Sequence, residues 1–324
     1  MVKPLDLTHA RTLPLSSRDS AYTVQQFCRT DRPPDVRDLE ASWPRLLKGR
    51  ELSEFLDLWA EAVRRQKPGL FLFGAHVVKC GLGPLLVRLA DARAVTLLAT
   101  HGAGALHDIE IALNGATSED VDVSLKDGSF GMARDAAEIY FEAARRAESG
   151  DLGLGQALAT TLAERRPPYA EFSFLCQAAK RDLPVTVHVA IGTDTLAEHA
   201  DFPAAAMGVA TYRDFLRLGG AVAGLHDGGV AVNCGSAVVL PEVFLKALAS
   251  ARNVAGPVTH FTTANFDMIQ HYRPHQNVVR RPTLEGGRGF AFTGHHELLL
   301  PLVAWALLGR LAEVKPPASV PTQP

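Results

Sequence analysis

The chain has 324 residues, of which 47% are hydrophobic and 21% charged, as is ordinary for a globular protein. Its 33 Lys and Arg against 35 Asp and Glu give a net charge of −2, which leaves no basic excess for non-specific nucleic-acid binding. No apolar run approaches the ~20 residues of a membrane span, and the N-terminus has no apolar h-region, so we expect a cytoplasmic protein. The four cysteines form no CxxC pair, which argues against a disulfide framework and a Cys-rich zinc site.

Two flanking segments differ in composition from the rest of the chain. Residues 1–50 are polar and carry several prolines, so we predict an N-terminal arm with little regular structure. Residues 313–324 are also proline-rich, and we predict a disordered tail there. The residues between, 51–312, are predicted to form a single domain.

Within that domain, short apolar runs alternate with stretches of helical periodicity. Helices are predicted over the segments 51–65, 82–92, 105–115 (capped by Gly115), 132–148, 169–181, 209–218, 241–252 and 296–312. Buried strands are predicted over the runs 70–76, 95–104 and 184–194, in two short runs within 221–236, and over 259–268. Polar loops are predicted over 116–131 and 196–204. Alternating strands and helices are typical of an α/β fold with a mostly parallel sheet and helices on both faces.

The strand ends are the places to look for a ligand, because open parallel sheets bind ligands at the carboxyl ends of their strands. Four such ends combine small residues with hydroxyls, an acid or an imidazole: 74–76, 100–104, 192–194 and 262–267. Small residues let the backbone approach a ligand, and amides at a helix N-terminus attract anions, which suits a nucleotide. Gly102 and Gly104 lack the third glycine of the dinucleotide fingerprint, however, so ordinary tight turns are the competing explanation.

The histidine-rich segments and the serines of the chain were considered as candidates for a metal site and for a nucleophile, and neither site is predicted. The chain has 12 histidines, and imidazole with carboxylate suits zinc. His101 is close in sequence to His107 and Asp108, and 295–297 forms a second cluster, but no HExxH or comparable pair occurs. We therefore predict no metal site and favour exposed or hydrogen-bonded imidazoles. A serine nucleophile is also not predicted, because no GxSxG elbow is present.

Lys79 lies in an otherwise apolar strand-to-helix turn, HVVKCGLG. Such a lysine is a candidate contact for a phosphate or a substrate carboxylate, and a side chain that extends to solvent is the competing explanation. Cys80 follows it, and a neighbouring lysine favours a thiolate, but a catalytic thiol is not predicted there.

Five segments together resemble deoxyhypusine synthase in their order and approximate spacing, over about residues 65–310. They are LFLFGAHVVKCGLGPLLVRL (70–89), VTLLATHGAGALHDIEIAL (95–113), LPVTVHVAIGTD (183–194), GVAVNCGSAVVLPEVF (229–244) and FTTANFDMIQHYRPHQNVV (261–279). The second resembles that family's TTAGGVEED segment, with Asp108 opposite the final acid. The third resembles its IPVFSPALTDGS strand, with Thr193 and Asp194 matching.

The resemblance implies a Rossmann-like sheet, a homotetramer and NAD bound between subunits. That family oxidises spermidine with NAD, carries the aminobutyl group on a lysine imine and delivers it to a protein lysine. Related members make homospermidine from free amines. By resemblance, NAD is expected to bind at His76, Thr100, Gly102, Gly104, Asp108, Thr193, Asp194, Gly235, Thr263, Ala264 and Asp267.

Departures from the family indicate different chemistry. In the family resemblance, the position of the imine-forming lysine corresponds to Leu240 of this chain, which cannot form a Schiff base. Lys246 is six residues further on, in the next predicted helix. One acid of the family's acidic pair is replaced by His107, and only Arg273 and Pro274 persist beyond the family's acidic polyamine loop. Since a polycation needs carboxylates in its pocket, we expect a neutral or anionic ligand, bound by His271 and Arg273.

Three functions follow from these observations. The first is an NAD-dependent enzyme that dehydrogenates a small amine or alcohol, or transfers a group from it, without a lysine imine. Its candidate catalytic residues are His101, His107 and Asp194, as proton acceptors, together with Lys79. The alternative is aminobutyl transfer of the deoxyhypusine or homospermidine synthase type, for which Lys79 or Lys246 must form the imine. The third is a non-catalytic nucleotide-binding oligomer.

Overall fold

The computed structural model describes residue 8, residues 10–20, 22–26 and 43, and residues 45–312. Most of the predicted arm, the whole of the predicted tail and Cys28 lie outside the described residues.

The described part of the arm is attached to the domain. Tyr22–Thr23 pairs antiparallel with Ala116–Thr117, and Arg18 forms an ion pair of 2.7 Å with Glu110.

The described residues contain a central sheet of six parallel strands. These strands are β1 (Gly69–Phe73), β2 (Leu97–His101), β3 (Val185–His188), β4 (Val230–Cys234), β5 (Thr262–Asp267) and β6 (Arg288–Thr293). Their order across the sheet is β3-β2-β1-β4-β5-β6, and every neighbouring pair is parallel. The predicted parallel α/β sheet is therefore confirmed, and its strand order is that of the doubly wound dinucleotide-binding fold.

Helices connect these strands. They are α1 (Leu47–Arg64), α2 (Ala75–Lys79), α3 (Gly83–Asp91), α4 (Gly102–Asn114), α5 (Arg134–Ser149), α6 (Leu154–Glu164), α7 (Phe174–Arg181), α8 (Ala204–Ala223), α9 (Val239–Ala255) and α10 (His296–Ala312). Shorter turns of helix lie at Leu15–Ser17, Val24–Gln26, Val121–Ser124, Thr195–Glu198, Tyr272–Pro274, His275–Arg280 (π-helical) and Arg281–Thr283. None of the described helices is both long and apolar enough to span a bilayer.

Strand β1 shows how the sheet divides the core into two layers. Phe71 and Phe73 pack with α1 to α7 and α10, whereas Leu70 and Leu72 pack with α9 and the second half of α8. Alternation along a strand places successive side chains on opposite faces, so a strand buried on both faces is apolar throughout. The sheet therefore has helices packed on both of its faces, as predicted.

The element boundaries agree with the sequence where the pattern is strong. Helix α10 has the predicted range, and Gly115 ends α4 with a left-handed φ of +68°. Three elements, α2, α6 and β6, were not predicted, and the predicted strand 70–76 is wrong beyond Phe73 because α2 begins at Ala75. Helix α6 is buried on several sides and so lacks an amphipathic stripe, and β6 is a half-exposed edge strand. The predicted strand 184–194 is wrong beyond His188, where β3 ends and a turn begins.

The strand order reverses at the pairing of β1 with β4, and the backbones that follow these strands are in direct contact. The amide of Gly74 donates to the carbonyl of Cys234 at 2.9 Å. A Cβ atom on Gly74 would lie 2.0 Å from the Gly235 carbonyl oxygen, and Gly235 itself has a φ of +67°. Because α2 and α9 leave this point on opposite faces of the sheet, a crevice is expected between them.

The replacement Gly74→Ala tests this backbone contact. The added methyl group has no room, so we expect the free energy of unfolding to fall by about 3 kcal/mol. Gly309→Ala is the matched control, because a Cβ there meets nothing within 4 Å and the residue lies in α10. It should leave stability unchanged or raise it by up to about 1 kcal/mol. Urea unfolding of both variants checks the prediction, and equal effects would contradict it.

Candidate functional site

Two imidazoles meet at the carboxyl ends of β2 and β3. His101 and His188 are register partners on these neighbouring strands. The Nε2 atom of His101 accepts a hydrogen bond of 3.3 Å from the amide of Ala75, the first residue of α2. That bond leaves the ring proton of a neutral His101 on Nδ1. His188 was not identified from the sequence, because only the parallel register shows that it lies beside His101.

Both imidazoles are neutral at pH 7. Burial, with a smaller contribution from His107, lowers the pKa of His101 to about 4. Burial and the neighbouring His101 lower the pKa of His188 to about 3. A group with so low a pKa is a weak proton acceptor at neutral pH, and a neutral ring acts better as a hydrogen-bond donor to developing negative charge. The predicted role of His101 as a base therefore fits less well than a donor role for its Nδ1–H.

Asp194 lies against the N-terminus of α4. Its carboxylate accepts hydrogen bonds from the amides of Ala103 at 3.1 Å and Ala190 at 2.9 Å. A Cβ atom on Gly102 would lie 2.3 Å from its Oδ2, so Gly102 is needed to admit this side chain. Burial raises the pKa of Asp194, while the two amides oppose that change. The anion-binding end of α4 is thus already occupied by a carboxylate of the protein itself.

Asp108 has a structural role in the interior. Its carboxylate accepts hydrogen bonds from the Ser173 hydroxyl at 2.5 Å and from the amides of Phe174 at 2.9 Å and Leu175 at 3.0 Å. Burial raises its pKa to about 7, against the effect of these three donors. The fully buried carboxylate caps the N-terminus of α7, which leaves it no surface for the predicted contact with a cofactor.

Other predicted cofactor residues lie inside the strands rather than at their ends. Thr263 and Ala264 belong to the first half of β5 and are fully buried. Thr100 is also buried, and its hydroxyl donates to the Phe73 carbonyl at 2.9 Å. A Cβ atom on Gly104 would lie 2.1 Å from that hydroxyl oxygen. Close packing against Thr100, at a position within α4 rather than in a tight turn, therefore accounts for Gly104.

His107 belongs to a separate polar network under the N-terminal segment. Its Nδ1 lies 3.2 Å from Glu110 and 2.7 Å from the Thr117 hydroxyl. Burial raises the pKa of Glu110, but hydrogen bonding and charge from His107, together with Arg18, bring it down to about 2. An ionised Glu110 thus holds His107 and Arg18 together. With Nδ1 engaged in this way, only the other nitrogen of His107 is left for catalysis.

The lysines differ in what they can do. Lys79 at the end of α2 is half-buried, and burial lowers its pKa while Glu110 opposes that shift. A lysine with a lowered pKa is a better base and nucleophile than an exposed one. Lys246 is exposed on α9 and forms an ion pair with Glu242, and Leu240 is fully buried. Of the two candidate imine lysines, Lys79 therefore has the more suitable surroundings.

A second group of side chains gathers at the ends of β1 and β5. His76, in α2, lies edge-to-face with His296, the first residue of α10, with ring centroids 5.4 Å apart. His296 is 1% exposed, and its Nε2 lies 3.8 Å from the carboxylate of Asp267 at the end of β5. Burial lowers the pKa of His296, and Asp267 opposes that change. The sequence placed His296 in a cluster, but only the fold brings it to His76.

Cys80 and Glu297 extend this group towards solvent. The sulfur of Cys80 lies 3.3 Å from Nε2 of His76 and 3.7 Å from Oε2 of Glu297. Burial, with the charge and hydrogen bond of Glu297, raises the pKa of Cys80 to about 12. The thiol is therefore protonated in the absence of a nearby cation.

The predicted substrate residues lie on the outer rim of this edge. His271 and Arg273 are exposed, and Arg273 forms an ion pair of 3.3 Å with Glu242. The segment before them is held by Gln270, which accepts from Asn265 at 2.7 Å and donates to the Phe292 carbonyl at 3.0 Å. The rim also carries exposed apolar side chains, Val238, Ile269, Tyr272 and Leu298. Thr193 is exposed too, in the turn after β3.

Comparison with known proteins gives a likeness of fold. No protein-family model matches the chain, and no curated protein does. Among solved structures, a conserved candidate LOR/SDH protein from Methanococcus maripaludis S2 is 14% identical, with 93% of this chain and 74% of that chain covered and a TM-score of 0.49. A candidate deoxyhypusine synthase from Entamoeba histolytica is 11% identical, with 87% and 96% covered and a TM-score of 0.48.

AgrE in its complex with ornithine and NAD+ is a further match, 14% identical with a TM-score of 0.44; the match covers 83% of this chain but 34% of AgrE. A deoxyhypusine synthase candidate is thus among the structures that this chain resembles, as the sequence led us to expect. At these identities and TM-scores, the likenesses assign no activity to the chain.

The buried imidazoles predict a pH dependence of stability. The pKa values of His101 and His188 are lower in the folded chain than the 6.5 of an ordinary histidine, so protons bind preferentially to the unfolded chain. Their contribution to stability is complete above pH 6.5 and is lost as the pH falls towards 4, at roughly 1.4 kcal/mol per pH unit for each ring.

The measurement is urea unfolding of the wild type and of His188→Gln at about pH 7.5 and about pH 5. The variant should lose less stability on acidification than the wild type. His275→Gln, at an exposed position, should behave as the wild type does. A pH dependence that His188→Gln leaves unchanged would contradict the low pKa of this ring.

Proposed function

We propose that the chain is an enzyme that binds NAD at the carboxyl edge of its sheet. It would dehydrogenate a small amine or alcohol, or transfer a group from it, without a lysine imine. The observation that carries the proposal is the strand order β3-β2-β1-β4-β5-β6, whose reversal at β1 and β4 marks the crevice where sheets of this order bind dinucleotides.

The residues available at that crevice narrow the predicted cofactor set to His76, Gly235 and Asp267, with Thr193 on the rim. Gly235 presents backbone without a side chain, which permits close approach of a ligand. Among the described residues, only the Met268 amide donates a hydrogen bond to the Asp267 carboxylate, so this carboxylate has capacity to accept another from a ribose hydroxyl. These residues fit a dinucleotide, although the α4 N-terminus, which holds Asp194, is not available for its phosphates.

The chain's own residues would provide orientation and proton transfer. NAD, when bound, supplies the hydride acceptor. His101 would donate its Nδ1–H to the heteroatom of the substrate and stabilise negative charge there as its proton leaves. Lys79, whose pKa is lowered by burial, would be the group to accept that proton. Asp194 would position the turn after β3 through its two amide contacts rather than take a proton.

A second candidate function is aminobutyl transfer through a lysine imine. The observation that favours it is the half-buried amine of Lys79, since an imine requires a neutral amine. Against it stands the position of the family's imine lysine, where the buried Leu240 lies. We keep the first function as the proposal for that reason.

The predicted tetramer and cytoplasmic location are part of this proposal. The exposed apolar side chains at the rim, Val238, Ile269, Tyr272 and Leu298, would be covered if copies of the chain associate at this edge. Association there would also close the crevice over a small substrate and exclude water from it.

Binding of NAD is tested by thermal shift and calorimetry on ligand-free protein. NAD at 100 times its dissociation constant should stabilise the chain by roughly 2.7 kcal/mol. Asp267→Asn should weaken binding about tenfold or more, because it removes a charged hydrogen-bond acceptor. Asp151→Asn, at an exposed position, is the matched control and should leave NAD binding unchanged. Absence of binding by both NAD and NADP would overturn the proposal.

Borohydride reduction in the presence of spermidine and NAD separates the two candidate functions. An imine between a lysine and an aminobutyl group is trapped by reduction as a stable adduct, which mass spectrometry locates. We expect no labelled lysine in the wild type. An adduct on Lys79 that disappears in Lys79→Arg would instead establish the second function and overturn the first.

A further inference from the structure

Three side chains with metal-binding atoms meet beside the proposed crevice. His76 and Cys80 are four residues apart, and the amide of Cys80 donates to the carbonyl of His76, so both lie on one side of the helical turn. Glu297 comes from the first turn of α10. One ligand atom of each, imidazole nitrogen, sulfur and carboxylate oxygen, lies within 4.8 Å of the other two. We call this group the His–Cys–Glu cluster.

Two of the three distances between these atoms match the edges of a tetrahedron around zinc. Zinc bonds of about 2.3 Å to sulfur and about 2.0 Å to nitrogen or oxygen place ligand atoms about 3.5 Å apart. The Cys80 sulfur lies 3.3 Å from Nε2 of His76 and 3.7 Å from Oε2 of Glu297. A cation at the centre of the cluster would therefore need only small movements of the side chains.

The surroundings provide a second and independent sign of a ligand. His296 is 1% exposed, its ring lies 5.4 Å from that of His76, and neither of its nitrogens makes a hydrogen bond of ordinary geometry. The Asp267 carboxylate, 3.8 Å from Nε2, and the Phe266 backbone are the polar groups that partly compensate its burial. A buried polar group without such a bond is costly, and structures retain few of them.

Two further features bear on a cation at this place. Nδ1 of His295 lies 3.7 Å from Oε1 of Glu297, the oxygen that the cluster does not use, so it can orient the carboxylate from outside. Glu297 is 47% exposed, which gives a cation a path from solvent. The ammonium of Lys79 opposes a cation, because it is close enough for its positive charge to lower the pKa of Cys80.

We propose that His76, Cys80 and Glu297 bind a zinc-class divalent cation, with the fourth position open towards His296 and the crevice. Sulfur, imidazole and carboxylate together select zinc over magnesium or calcium, which prefer oxygen ligands. Cys80 binds as the thiolate, and its proton passes to solvent as the metal–sulfur bond forms. An open position on such an ion takes a water molecule or the oxygen of a substrate.

This site shares His76 with the proposed cofactor set, but it does not rest on the proposed dinucleotide, because the spacing of its three ligand atoms is independent of NAD. No local motif in the sequence indicates this metal site, because its ligands are not all near one another along the chain. Glu297 is 217 residues from Cys80 and is brought to it only by the fold.

Cobalt substitution gives the sharpest test. Chelator-treated full-length protein is titrated with Co²⁺ and then with Zn²⁺, and metal content is measured after dialysis. We expect one equivalent, strong visible bands of tetrahedral Co²⁺ and a thiolate-to-cobalt charge-transfer band, all lost as Zn²⁺ displaces Co²⁺. Cys80→Ser should abolish the charge-transfer band, and Glu297→Gln should weaken zinc binding at least about tenfold.

His275→Gln and Glu148→Gln are matched controls at exposed positions and should bind zinc as the wild type does. Absence of a charge-transfer band in the wild type would overturn the proposal, even if the variants fail to fold. Equal zinc affinity of Cys80→Ser and the wild type would also overturn it, since the cluster would then be an ordinary hydrogen-bonded group. NAD titration of the same metal-free sample shows independently whether the proposed function fails.

Discussion

The parallel pairing of β1 with β4 is the constraint on which the rest of this structure depends. It joins the two halves of the sheet, and it brings Gly74 so close to the Gly235 carbonyl that position 74 has no room for a side chain. Because α2 and α9 then leave on opposite faces, a crevice is expected between them at this point. His76 and His296 meet there although 220 residues of chain separate them.

Burial rather than charge determines the chemistry at that edge. Burial removes the imidazoles of His101 and His188 from water, and no carboxylate contributes to their pKa values. Both rings therefore stay neutral at a pH at which an exposed histidine would begin to bind a proton. Two of the buried carboxylates, those of Asp108 and Asp194, accept hydrogen bonds from backbone amides at helix N-termini and so support the framework. The result is an edge with neutral donors and one half-buried amine, which suits a neutral or anionic substrate better than a polycation.

The sequence predicts the architecture well because its apolar runs are strong. Strand β1 and helix α10 are recognisable from composition alone, and the parallel sheet follows from the alternation. The site is predicted less well, for a physical reason. Thr263 and Ala264 fall inside β5 rather than after it, since the apolar run does not show where pairing with β6 ends. Asp108 has the residue type of a ligand but the position of a helix cap, which only the contact with α7 reveals.

At the carboxyl edge of the sheet, residues that are close in sequence are not always the ones that act together in space. His107 and His101 are near in sequence, yet the first belongs to the network of Glu110 and Arg18 and the second to the ends of the strands. His188 became visible only through its register with His101. Contacts that depend on strand order cannot be derived from local pattern, which explains why the strand ends were identified and their grouping was not.

The most direct measurement is a crystal structure of the chain grown with NAD. The account predicts a dinucleotide across the ends of β1 and β4, with a ribose hydroxyl on Asp267 and the nicotinamide beside His101. A dinucleotide bound at another edge of the molecule would contradict the account. So would binding through the N-terminus of α4 with Asp194 displaced.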